Sequence, residues 1–213
     1  MKLVFLLAAL AGFACHAEFV VVDEGRANAV VALGDEAQVT KFAAKELCKY
    51  VKAMSGAELA VVKDGEFGET NVIRILATKQ GLRRDEISLR VDAGGRMLEL
   101  SGDGLRGGLN AVYELLERWG VRYFTPDREK VPSLATLSLP DGFSYSYAPP
   151  FERRNPGSIS LDRNVGPAWA VKLRVSREYS RKEFGGKRDA DFGGGHTLGN
   201  KYYVDAKKHF DEH

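Results

Sequence analysis

The chain has 213 residues, 44% apolar and 28% charged, with 31 Lys+Arg against 29 Asp+Glu for a net charge of +2. This is ordinary globular composition, enough for one full domain and part of a second. It excludes a disordered or fibrous chain and offers no basic excess to draw nucleic acid or an anionic membrane surface. Two cysteines can neither staple a disulfide scaffold nor complete a structural zinc site.

Residues 1–17 read as a secretory signal: Lys2, the apolar run Leu3 to Phe13, then small residues up to a cleavage point after Ala17. The run is about half of what a bilayer-spanning helix needs. Export to the periplasm or the medium is therefore expected. Lipidation of Cys15 is the lesser alternative, because Phe13 spoils the box before it. Cys48, on an expected helix, reads as an inert core residue.

Phe19 to Val22 and Ala29 to Leu33 have strand character. Asp35 is a candidate N-cap for a helix with Val39, Ala43, Leu47, Val51 and Met54 at helical spacing, stopped by Ser55-Gly56. Leu59–Val62 and Asn71–Ala77 follow as strands. Ile87–Val91 and Met97–Leu100 alternate around Gly94-Gly95, which predicts an antiparallel hairpin. A second helix is expected over Leu105–Trp119 and a last strand over Val121–Phe124, ended by Pro126. The sum is an α+β (α/β) layer, a mixed sheet with two helices, over residues 18–144. Tyr145 to Pro150 reads as a linker. Beyond it, glycines and charges crowd and apolar periodicity fades, so residues 151–213 read as the incomplete opening of a second domain.

Three motifs compete for chemistry. Gly102-Asp103-Gly104-Leu105-Arg106-Gly107 follows a strand and opens a helix, as a dinucleotide fingerprint does. A preceding hairpin strand, Arg106 in the approach, and Asp127 behind Pro126 favour instead a tight turn with close helix–sheet packing. His209-Phe210-Asp211-Glu212-His213 fits a zinc-peptidase spacing, but a chance match on a charged helix accounts for it better. Gly193-Gly194-Gly195-His196 brings backbone close to something and holds a histidine behind it; the plain alternative is a flexible loop. No metal and no cofactor is expected. Most basic residues after Pro150, among them Lys172, read as solvated face, although Arg154 or Arg174 could hold a carboxylate in a fork.

The block Gly104-Leu105-Arg106-Gly107-Gly108 through Tyr113-Glu114-Leu115-Leu116 to Gly120-Val121-Arg122-Tyr123-Phe124-Thr125-Pro126-Asp127 resembles the accessory domain before the barrel of glycoside hydrolases. It is similar to the N-terminal domain of α-glucuronidases (family 67) and to domain two of bacterial β-hexosaminidases (family 20). It is also similar to exported bacterial proteins joining such a domain to a barrel of unknown function. Ala43 to Ala57, Pro149-Pro150-Phe151-Glu152-Arg153-Arg154, Trp169-Ala170 and Gly193 to Thr197 fit the same pattern, with Leu173 a departure where relatives tend to have Asn. The resemblance implies an accessory domain followed by the truncated start of a (β/α)8 barrel, and a carbohydrate as ligand. It further implies Arg154, His196, Trp169 and Gly195 as sugar-contacting candidates, and catalytic carboxylates past residue 213, so that none is named here. The rivals are a non-catalytic glycan-binding surface protein and, on the glycine block alone, a dinucleotide-dependent oxidoreductase.

Overall fold

The computed structural model describes residues 18–151, 154, 166–175 and 181–185. Its strands are β1 (Phe19–Asp23), β2 (Arg26–Ala27), β3 (Ala29–Leu33), β4 (Val61–Lys63), β5 (Asn71–Ile75), β6 (Ile87–Val91), β7 (Met97–Gly102), β8 (Arg122–Thr125), β9 (Arg128–Lys130), β10 (Leu137–Leu139) and β11 (Ser144–Tyr147). The helices are α1 (Gln38–Ser55), α2 (Gly107–Arg118) and α3 (Gly166–Lys172), followed by a 3-10 turn, Lys182–Phe184.

The main sheet runs β11-β6-β7-β5-β3-β4. Its β4-β3-β5-β7 part is parallel, and β6 and β11 add antiparallel to it. The expected hairpin is present: Ile87 faces Gly102 and Val91 faces Leu98. Alternation decides the faces. Val31, Ile73, Ile75, Leu89, Leu98 and Leu100 are fully buried and share one cluster with Leu47, Val51, Leu109, Val112 and Leu116 of the helices. Each such side chain contributes about 1.5–3 kcal/mol on burial. The opposite face is a polar ladder in which Glu99 faces Arg90 on one side and Arg74 on the other, with Arg74 also on Asp64.

Both expected helices form, displaced by a few residues. Asp35 supports the start of α1 from three positions before it: one carboxylate oxygen accepts the Ala37 N–H and the Thr40 hydroxyl, the other the Ala77 N–H after β5. Gly56, at φ 78, closes the helix with its N–H on the Lys52 carbonyl.

Three readings from sequence change here. The first strand does not join the main sheet; β1 lies between β10 and β2 in a small sheet of its own. Pro126 does end β8, but that strand is not the last: a tight turn through Pro126 and Asp127 returns the chain as β9, and β10 and β11 follow. Tyr145–Tyr147, read as linker, completes β11 at the sheet edge against β6. Its Ser144 and Ser146 share the polar face, while Tyr145 turns toward α2, where the Arg118 guanidinium lies 3.7 Å from its ring centre.

The described residues beyond 150 lend side chains to this first domain. Ala170, Val171 and Phe184 are buried in its core. Phe184 meets Phe42 of α1 edge to face at 5.2 Å, and its carbonyl accepts the Arg106 Nε–H at 2.6 Å. The described part is a mixed α/β domain with a strap across its helices.

Candidate functional site

The seam between strap and domain gathers several partly or fully buried polar side chains. Its outer end is Arg154. That guanidinium donates to Asp85 Oδ2 from both terminal nitrogens at 3.1 Å, to the Phe151 carbonyl at 2.8 Å and to the Arg174 carbonyl at 3.3 Å. Asp85 is set in advance. It adopts φ 56, a left-handed conformation aspartate tolerates, and its N–H is held by the Asp103 carboxylate at 3.0 Å. The acid facing Arg154 is therefore 69 residues away in sequence, whereas the neighbouring Glu152 lies outside the described residues.

The inner end is an aromatic and ionic cluster. The Tyr123 ring stands edge-on to Tyr50 at 5.8 Å and to Tyr113 at 5.7 Å. The Tyr50 hydroxyl donates to Glu129 at 2.7 Å, and Lys172 Nζ donates to both of them, at 2.7 and 3.0 Å. The Tyr113 hydroxyl donates to Glu46 at 3.0 Å. Arg174 places Nη2 2.7 Å from Glu117 and 3.6 Å from Glu114, which Arg118 also holds. Lys172 and Arg174, which read as surface charge and carboxylate fork, thus serve protein carboxylates at the seam.

Tyrosine–glutamate pairs can make phenolate nucleophiles, but here the electrostatics run the other way. Burial first, then the adjoining carboxylates, push the phenols of Tyr50, Tyr113 and Tyr123 well above their ordinary range. They stay neutral and act as packing and hydrogen-bonding groups. Glu129 carries the opposite shift: burial pulls it upward, yet the Tyr50 hydroxyl and Lys172 outweigh burial and leave it below its ordinary value of 4.5. A carboxylate depressed in the fold contributes stability that is full above its unfolded value and lost as pH falls through the folded one. Acid titration of thermal stability should therefore steepen below about pH 4.5, and Glu129→Gln should flatten that limb. Identical acid limbs in the two proteins would refute this role for Glu129.

The glycine block is built for contact rather than for phosphate. A Cβ at Gly102 would lie 2.7 Å from the Glu86 carbonyl oxygen and from Gly107 Cα, and one at Gly107 or Gly108 would strike the backbone of Gly102 or Leu76. Only Gly104 of the three fingerprint glycines needs its φ, at 71. The first amides of α2 are already used, Gly107 N–H on the Gly104 carbonyl and Gly108 N–H on the Ala77 carbonyl. Their engagement removes two of the donors a pyrophosphate would use at this helix start.

Of the candidate sugar contacts, Arg154 and Trp169 are both at the seam, joined through the turn after α3: the Leu173 N–H donates to the Trp169 carbonyl, and Arg154 donates to that of Arg174. Gly195 and His196 lie outside the described residues, as do His209 to His213. Among the described residues no group of three His, Cys, Asp or Glu could hold a metal, and no helix is long and apolar enough to cross a membrane. Cys48 is half-buried, and burial raises its thiol, in keeping with an inert residue. Asp85, Tyr50 and Glu129 were missed from sequence, since each looks like a loop acid or a helix-face residue until the strap is in place.

No family model and no curated protein matches the chain. Among solved structures, it is similar to a GH115 4-O-methyl-α-glucuronidase with specificity for decorated arabinogalactans, at 17% identity and a TM-score of 0.49 over 73% of this chain. It spans only 24% of the length of that protein.

Proposed function

We propose that the chain is the N-terminal part of an exported carbohydrate-active protein of the glycoside-hydrolase type. In this reading residues 1–17 are the signal, 18–144 the accessory domain and 145–150 the connection, of which the first residues also serve the sheet edge. Residues 151–213 open the barrel that carries the chemistry. Arg154, Trp169, Gly195 and His196 meet the sugar. The observation that supports it is local. The Gly104–Asp127 block, where the resemblance is most specific, folds as one tight unit of turn, α2 and β8, and the chain past residue 150 returns to pack on that unit's helix. An accessory domain that seats a following domain needs such a return.

A second reading, glycan binding without catalysis, is favoured by Phe151 and Tyr147, which stay 73% and 45% exposed near the Arg154 end of the seam. Such faces can stack on sugar rings, and large exposed aromatics commonly mark binding surfaces.

The protein of the full reading frame, offered aryl glucuronides and aryl N-acetylhexosaminides and tested on an oligosaccharide array, should release the aryl group. The 213-residue chain should not, because a barrel site needs loops from all eight strands. His196→Ala should weaken turnover or binding about tenfold, or about 1.4 kcal/mol. Binding without turnover selects the second reading, and neither binding nor turnover overturns both.

A further inference from the structure

Three buried polar atoms of the seam have no partner among the described residues: the Tyr123 hydroxyl, the Trp169 indole Nε1–H and Arg174 Nη1. Tyr123 itself is only 7% exposed. Buried polar side chains without a partner are rare in native proteins, and each asks for an unseen water, ion or ligand. The other polar groups of the cluster are matched, which makes three unpartnered atoms at one seam informative.

The elements that carry them pack together: α3, which holds Trp169 and ends two residues before Arg174, lies against β8, which holds Tyr123. The Tyr123 ring is wedged between Tyr50 and Tyr113, so the direction of its hydroxyl is fixed. Lys172 lies 5.2 Å from that ring, and Trp169 precedes it by three residues on the same face of α3. Arg174 spends Nη2 on Glu117, which leaves Nη1 for the other side, and its charge is felt at the Tyr123 hydroxyl along with those of Glu117, Glu46 and Glu129.

The chemistry of the set selects the occupant. Indole and guanidinium are strict donors, and a phenol donates or accepts, so the complement is an oxygen with lone pairs. Charge is already balanced: Glu114 and Glu117 on Arg174 and Arg118, Glu129 on Lys172, Glu46 on Lys49. An anion would face those carboxylates uncompensated, and a cation would face two donors. We propose that Tyr123, Trp169 and Arg174 enclose a site for one neutral oxygen acceptor, either an ordered water or a hydroxyl of a bound ligand. A buried water commonly makes about three such bonds. The site shares Trp169 with the proposed sugar contacts but does not depend on Arg154 or His196.

The 213-residue chain, with its indoles labelled with nitrogen-15, provides the test. It has two tryptophans, and Trp119 is an internal reference because its Nε1–H donates to the Ser138 carbonyl at 3.3 Å. The Trp169 N–H should resonate downfield as a bonded indole and resist exchange. A cross-peak to water assigns the oxygen to an ordered water, and a saturable shift on titrating methyl α-glucoside assigns it to a ligand hydroxyl. A Trp169 signal at the free-indole position, indifferent to both, overturns the site. Independently, Tyr123→Phe should lower the melting temperature by about 2–4 °C. An unchanged or higher value would mean that the hydroxyl was unpaired, and would also overturn the proposal.

Discussion

Gly107→Ala should lower the melting temperature by roughly 6–12 °C or prevent cooperative folding, on the basis of an overpacking cost of about 3 kcal/mol or more. The new methyl would collide with the Gly102 backbone, where β7 ends and α2 begins, and neither partner is a side chain that can swing away. Gly108→Ala should behave alike, since its Cβ would meet the Leu76 carbonyl. Gly104→Ala is the informative contrast. Nothing lies within 4 Å of a Cβ there, so only the φ of 71 opposes it, at about 1–2 kcal/mol. Thermal unfolding of the three variants checks the order. NAD(H) and NADP(H) should leave the wild-type melting temperature where it is, because a ligand that bound the native state would raise it. A saturable rise with either nucleotide would return the block to the oxidoreductase reading.

Phe184→Ala should cost about 3–5 kcal/mol, as truncation of a buried aromatic does. The residue is 1% exposed, set edge-on to Phe42, with the Arg181 guanidinium 4.8 Å from its ring centre and its carbonyl bound by Arg106. Phe151→Ala, 33 positions earlier and 73% exposed, should stay within about 0.5 kcal/mol. Urea midpoints separate the two at unchanged slope. A silent Phe184→Ala would detach the strap from the folded unit and remove the physical basis for a first domain that seats a second.

This strap shows how far a sequence can be read. The stretch after Pro150 has few periodic apolar residues, and among its described residues Ala170, Val171 and Phe184 are buried against α1, α2 and β8. Lys172 looked like surface charge and Arg174 like a fork for a foreign carboxylate because their acids, Glu129 and Glu117, stand 43 and 57 residues away. Serine alternating with tyrosine beside prolines looked like a linker, yet an edge strand with one polar face has the same pattern, and pairing with β6 distinguishes the two.

Local order along the chain was determined by the sequence alone. Alternation in Ile87–Val91 and Met97–Leu100 set the hairpin, apolar spacing set α1 and α2, and the placement of Gly102, Gly104 and Gly107 announced a close approach. These features depend on neighbours within a turn or a hairpin, where the period of the side chains carries the information. Only the tertiary structure decided that β1 pairs with β10 across more than a hundred residues, that Asp85 receives Arg154, and that Tyr123, Trp169 and Arg174 each bury a polar atom without a partner among the described residues. Pairing over such separations depends on which surfaces the packed core brings together. No local period encodes it, because a charge bound to a distant acid and a charge in water are the same letter in the chain.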